Sequence, residues 1–171
     1  MCFNYESKFN NKLLMFRNTF IVSILFLFAI SCGGEDPFFF EDDYSSVPEP
    51  FTTSGFTPDT SESGLIVYEI AVGDTSSPIN VGIRDRVTVF YTGRKINGEI
   101  FDSSYKNDQT SPTSFTVATV IDGFTEGLLG MYEGGKKVLI IPPNLAYEGT
   151  SNSLRNDTLV FDIELETIIT N

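Results

Sequence analysis

From Gly64 onward the chain is built of short apolar runs rich in β-branched and aromatic residues, each closed by Gly, Asn, Asp or Pro. Such runs suit antiparallel strands joined by tight connections. They are Leu65 to Val72, Arg86 to Tyr91, Ile100-Phe101, Phe115 to Val117, Lys136 to Ile141 and Leu159 to Ile168. Asn97-Gly98, between two of the runs, predicts a hairpin turn in which both residues take a positive φ. One segment has helical spacing: Phe124, Leu128 and Met131 recur at four and three, and Gly134-Gly135 follows as a stop, which predicts a helix over 124–132. One short helix can cover one face of a curved sheet, so the expected fold class is α+β. With 41% apolar residues in a chain of 171, one core of ordinary size is within reach.

The residues upstream follow other rules. Met15-Phe16-Arg17-Asn18-Thr19 is a basic start, and Phe20 to Ile30 is an apolar run of eleven residues ending in Ala29-Ile30-Ser31-Cys32. A membrane-spanning helix needs about 20 apolar residues, so this is read as a secretory signal over 1–31, with Met15 a candidate start. Small residues just before a cysteine resemble a bacterial lipoprotein cleavage box. Cys32 is then the lipidated first residue and holds the protein at a membrane of the bacterial cell envelope, on the periplasmic or outer-membrane side. A cleaved signal without lipid and an uncleaved anchor are the alternatives. From 32 to 63 the chain is acidic and rich in Ser, Thr and Pro, with Pro37, Pro48, Pro50 and Pro58 interrupting any periodicity, and reads as a loosely held tether. Phe38-Phe39-Phe40 and Phe51 are unusual in a solvated linker and suggest that part of it packs on the domain or on a partner.

Composition excludes whole classes of chemistry. There is no histidine, which removes Ser-His-Asp and Cys-His catalysis and any His-ligated zinc site. A formal charge of −12 with only 11 basic residues argues against a nucleic-acid partner, since phosphate binding needs clustered Lys and Arg. The two cysteines, Cys2 and Cys32, both precede the strand-rich region, so no disulfide is expected inside it. Glu41, Asp42 and Asp43 lack the spaced oxygen ligands and turn glycine of a calcium loop, and read as a solvated acidic tail. No metal and no cofactor are expected.

The blocks Val87-Thr88-Val89-Phe90-Tyr91-Thr92-Gly93, Phe101-Asp102-Ser103-Ser104, Ala146-Tyr147 and Leu159-Val160-Phe161-Asp162, in that order, resemble the FKBP-type peptidyl-prolyl isomerases. The resemblance covers residues 64–168. It implies a twisted antiparallel half-barrel sheet wrapped around one short helix, over a domain of 64–171. It implies a catalytic set of Tyr91, Phe101, Asp102, Ile121 and Tyr147, and a substrate-binding set of Val120, Phe124, Leu154 and Phe161. In the family the Ile backbone amide and the Tyr hydroxyl hold the carbonyls that flank the proline, roles that fall to Ile121 and Tyr147. Asp102 is implied to bond with Tyr91 near the twisting carbonyl, while Phe101, Phe124 and Phe161 enclose the proline ring. Taken singly, Tyr91, Phe124 and Phe161 would read as core, and Asp102 as a turn residue.

Several positions depart from the family pattern. Phe124 stands where many members have Trp. Thr113 stands near a position that is often Phe, which predicts one lost wall. Glu148 replaces a Gly after Tyr147, the loop to Thr158 is short, and Leu154 is the candidate for its apolar rim. The expected activity is isomerisation of X-Pro bonds in exported proteins, at a rate lowered by these changes, with proline-containing polypeptides as partners and a macrolide as a further candidate ligand. A non-catalytic chaperone or binding module on a lipid anchor is the alternative, and a surface or motility-associated lipoprotein subunit is a third reading.

Overall fold

The computed structural model describes residues 41–170. The expected signal over 1–31, Cys32 and Phe38-Phe39-Phe40 lie outside the described residues. The described chain forms seven strands, β1 (Asp59–Thr60), β2 (Ile66–Ala71), β3 (Arg86–Lys95), β4 (Ile100–Ser103), β5 (Thr113–Thr116), β6 (Lys136–Ile141) and β7 (Leu159–Ile169), and one α-helix, α1 (Asp122–Leu128). All strand pairs are antiparallel, in the order β1-β2-β6-β7-β3-β4. The long β3 is shared on its far side: its first half pairs with β5 and its second with β4. The sheet is open, with α1 packed on β6.

Period-two alternation sorts the side chains. Val87 and Val89 on β3, Leu139 and Ile141 on β6, and Leu159, Ile163 and Leu165 on β7 are fully buried and form the core with Leu128 of α1. Gly127 lets the helix lie against the sheet, since a Cβ there would overlap the Leu139 side chain. The residues between them face the other way. Arg94 and Asp162 pair on that outer face, each about one-tenth exposed, and Lys136 meets Glu164 at 2.8 Å. β3 therefore runs four residues beyond the apolar stretch that ends at Tyr91, because Thr92 and Arg94 find polar partners in Ser103 and Asp162.

Two local expectations need correction. The helix ends at Leu128 rather than Tyr132, and Gly130 turns the chain back with φ 76°. Met131 still reaches the core, 3% exposed, but from a turn whose backbone bonds to Val81. The hairpin at Asn97-Gly98 forms with only Gly98 at positive φ, 91°. Gly98 donates to the Lys95 carbonyl at 2.9 Å and Lys95 to that of Glu99 at 2.8 Å, the pattern of a three-residue loop with a glycine bulge.

The segment expected as a loose tether is fastened along its described part. β1 lies within it and extends the sheet through β2. The Pro48 carbonyl accepts from Arg94 Nη2 at 3.2 Å, the Phe51 amide donates to Asp162 Oδ1 at 3.3 Å, and the Phe51 ring lies under Lys136 Nζ, 5.6 Å from its centroid. The outer face of β3, β6 and β7 offers polar groups for a passing chain to bond, and those bonds offset part of the conformational entropy that ordering it costs.

Candidate functional site

On the inner face, where β3 and β7 approach the start of α1, the core gives way to a cavity of about 350 Å³. Its walls come from separate elements: Tyr91 from β3, Phe101 and Asp102 from β4, Phe161 from β7 and Phe124 from α1, with Tyr147 from the loop after β6 and Val120 and Ile121 from the lead into α1. Phe101 and Phe161 can meet because Gly93 lies between them, where a Cβ would stand 2.6 Å from one ring and 2.8 Å from the other. Their centroids are 5.6 Å apart at 88°. Phe124 meets Phe161 at 5.1 Å and Tyr91 at 6.2 Å, both edge to face, the arrangement that ring quadrupoles favour.

Four polar groups interrupt these apolar walls. Tyr91 donates its hydroxyl to Asp102 Oδ2 at 2.6 Å. Burial, reinforced by that bond, pushes the Tyr91 phenol far above its ordinary value, so it stays a neutral donor. Asp102 Oδ1 accepts from the Ser103 amide at 3.0 Å and lies 3.3 Å from Lys106 Nζ. Burial, then the charge of Asp102, also raises the Tyr147 phenol, and among the described residues its hydroxyl has no hydrogen-bond partner. The Ile121 carbonyl accepts from Phe124 and Thr125 at the start of α1, while its amide has no acceptor among the described residues. The site thus offers an apolar box with two free donors on its walls and one anchored carboxylate. It holds no activated nucleophile, and no cluster of acidic or cysteine side chains among the described residues could hold a metal.

The Ser residues beside Asp102 explain how the block holds together. Ser103 and Ser104, each 2% exposed, bond through their hydroxyls to the Tyr91 carbonyl at 3.1 and 3.2 Å, and the Tyr91 amide donates to Ser104 Oγ at 3.0 Å. β4 is thereby clamped to β3 at the position where both supply cavity side chains.

The family described as FKBP-type peptidyl-prolyl cis-trans isomerase matches residues 78–166, more than half of the chain. The chain belongs to that family. It is 43% identical over 108 residues to the FKBP-type peptidyl-prolyl cis-trans isomerase FkpA of Escherichia coli, a match that covers 62% of this chain and 38% of that protein. The crystal structure of FkpA from Escherichia coli superposes with a TM-score of 0.59 at 39% identity, covering 66% of this chain and 51% of the other. A peptidyl-prolyl cis-trans isomerase from Pseudomonas syringae superposes with a TM-score of 0.56 at 31% identity, covering 66% and 81%. The chain thus spans under half the length of the curated relative it matches.

Against the residues expected for an FKBP-type site, the structure gathers Tyr91, Phe101, Asp102, Val120, Ile121, Phe124, Tyr147 and Phe161 around the one cavity. Leu154 is not among its lining residues; it is half-buried against the core, and its amide caps onto Asn152 Oδ1 at 2.8 Å. The wall expected to be missing at Thr113 is present, supplied two residues later by Phe115, whose ring meets Tyr91 at 5.5 Å and Phe124 at 5.9 Å. Pairing of Thr113 with Val89 and Phe115 with Val87 sets this register. Phe115 and Thr119 are the lining residues that sequence reasoning missed. Inward alternation from Val117, itself buried, was the signal available for Phe115.

Proposed function

We propose that this cavity isomerises X-Pro peptide bonds in polypeptide substrates. Rotation about the bond breaks amide resonance against a barrier of about 18 to 20 kcal/mol. The planar amide is the more charge-separated form, so withdrawing it from water among apolar rings favours the twisted form without bond making. Lowering the barrier by about 5 kcal/mol accelerates rotation several thousandfold. Phe101, Phe124 and Phe161, with Phe115, enclose the proline ring. The Ile121 amide and the Tyr147 hydroxyl receive the flanking carbonyls, and Asp102, held by Tyr91, stands beside the carbonyl that turns.

The observation that carries this reading is the convergence of the rings on one cavity whose two free donors belong to Ile121 and Tyr147. A protease-coupled assay with proline tetrapeptides tests it. Phe101→Ala combined with Tyr147→Phe is expected to abolish most of the acceleration; a rate equal to the uncatalysed one in the wild type, or indifferent to this pair, removes the reading.

The chain's location belongs to the same proposal. A lipid on Cys32 would hold the domain at the cell envelope, where exported polypeptides fold, and labelled palmitate incorporated by the wild type but not by Cys32→Ala would support it. A macrolide is a further candidate for the same apolar box. The absence of Leu154 from the cavity favours a second reading, a chaperone that binds clients without useful turnover. Suppression of aggregation that survives the pocket substitutions would favour that module over the enzyme.

A further inference from the structure

Phe101 and Asp102 enter the cavity from β4, a strand of four residues at the sheet edge. The chain then turns away through Asn107 and Asp108, both left-handed with φ 56° and 57°, a region that Asn and Asp tolerate better than other side chains. A short edge strand followed by such a turn is the kind of element that opens locally.

The strap at 42–46 grips this arm. The Asp43 amide donates to Asn107 Oδ1 at 2.8 Å, and the Asn107 amide donates back to the Asp43 carbonyl at 2.7 Å. Asn107 Nδ2 donates to Asp42 Oδ1 at 3.1 Å, and Ser46 Oγ to the Tyr105 carbonyl at 2.9 Å. Two further contacts land on the residues that carry pocket side chains. The Tyr44 hydroxyl donates to the Phe101 carbonyl at 3.0 Å. Lys106 Nζ stands 3.3 Å from Asp42 Oδ2 and 3.3 Å from Asp102 Oδ1, bridging the strap to the carboxylate that holds Tyr91.

We infer that the strap is a positioning element for the isomerase pocket, setting the Phe101 wall through Tyr44 and the Asp102 carboxylate through Asp42 and Lys106. The inference rests on the isomerase reading. A segment needed only to brace the arm is satisfied by the reciprocal Asp43–Asn107 pair; it has no need of a hydroxyl on Phe101 or of an ammonium shared with Asp102. The Asn107 bond, then Lys106, holds the Asp42 carboxyl below its ordinary value, so at neutral pH Asp42 is a charged anchor for Lys106.

The test uses the whole chain, proline tetrapeptides, low and high salt, and a thermal melt of each variant. Asp42→Asn, Tyr44→Phe and Lys106→Met are each expected to lower kcat/KM about twofold to fivefold, the size of a partly exposed polar coupling. The loss falls on kcat rather than KM, because Asp102 stands beside the turning carbonyl. Lys106→Arg retains the activity, Asp42→Asn adds nothing to Lys106→Met, and the wild-type salt sensitivity disappears in Lys106→Met. Lower melting points with unchanged kcat/KM, or equal losses in Lys106→Arg and Lys106→Met, overturn the inference and leave the strap a brace. A wild type no faster than the uncatalysed reaction overturns the isomerase reading instead, and the inference with it.

Discussion

On the inner face of the sheet, Val87, Val89, Leu159, Ile163 and Leu165 are wholly buried against one another and the helix side, while on the outer face the same two strands set Arg94 against Asp162 and Thr88 against Thr167. The inner face coheres through contact area, which scales with apolar surface and does not depend on direction. The outer face adds directed polar bonds to its apolar contacts, and residues 48–51 cross it, bonded to Arg94 and Asp162. A cavity for a partly apolar substrate belongs on the first; a fastening for a passing chain belongs on the second.

The contrast is tested most severely at Asp162. Burial pushes its carboxyl upward while Arg94 pulls it down, and the two side chains are out of water together. Asp162→Ala leaves the Arg94 guanidinium buried with the Pro48 carbonyl as its remaining partner, and is expected to cost about 3–5 kcal/mol in urea unfolding. Arg94→Met with Asp162→Leu should return most of that loss, since an apolar pair of similar volume desolvates cheaply. If the single substitution costs under about 1 kcal/mol, the outer face is not held in this directed way.

On the inner face the corresponding change is Gly93→Ala. The new methyl group must displace the Phe101 or Phe161 ring, an overpacking expected to cost about 1–3 kcal/mol in the same measurement, and to lower the proposed isomerase rate further than stability explains. The Arg94–Asp162 coupling, measured by a double-mutant cycle in that background, should be unchanged if the two faces are independent.

The smallest effect concerns the polar intrusion into the inner face. The folded-state pKa of Tyr91 lies above its unfolded value, so the stability this group contributes is complete below about pH 10 and is lost as pH rises past it toward the folded value. Tyrosine absorbance followed through alkaline pH should show one phenol that ionises only as the protein unfolds. Tyr91→Phe should remove that phenol and part of the alkaline instability, for about 1 kcal/mol at neutral pH from the lost bond to Asp102.

Most of the inner face was legible because one rule generates it. Val87-x-Val89-x-Tyr91 and Leu159-x-Phe161-x-Ile163-x-Leu165 alternate openly, and two of the cavity residues, Tyr91 and Phe161, ride on these strands. Met131 and Thr113 were misread where that rule meets a turn: helical spacing carried past Gly130, and the stretch from Tyr105 to Pro112 hid the register that brings Phe115 inward. Leu154 was placed by analogy in a loop of altered length, where spacing no longer constrains position. The strap was illegible for a different reason. Its fastenings join positions 57 to 65 apart, and a stretch of Asp, Tyr and Ser has the same composition whether it is solvated or bonded.

The long central strand has a consequence for how the molecule comes into being. Arg86 to Lys95 is hydrogen-bonded along its length to Leu159 through Ile169, some seventy positions downstream. Contacts of such high sequence separation make folding slow, because loop closure must be met before they form. During synthesis the β3 stretch therefore emerges without its principal neighbour and waits, edge exposed, until β7 clears the ribosome. A chain of this topology is for that interval a candidate client for a holdase.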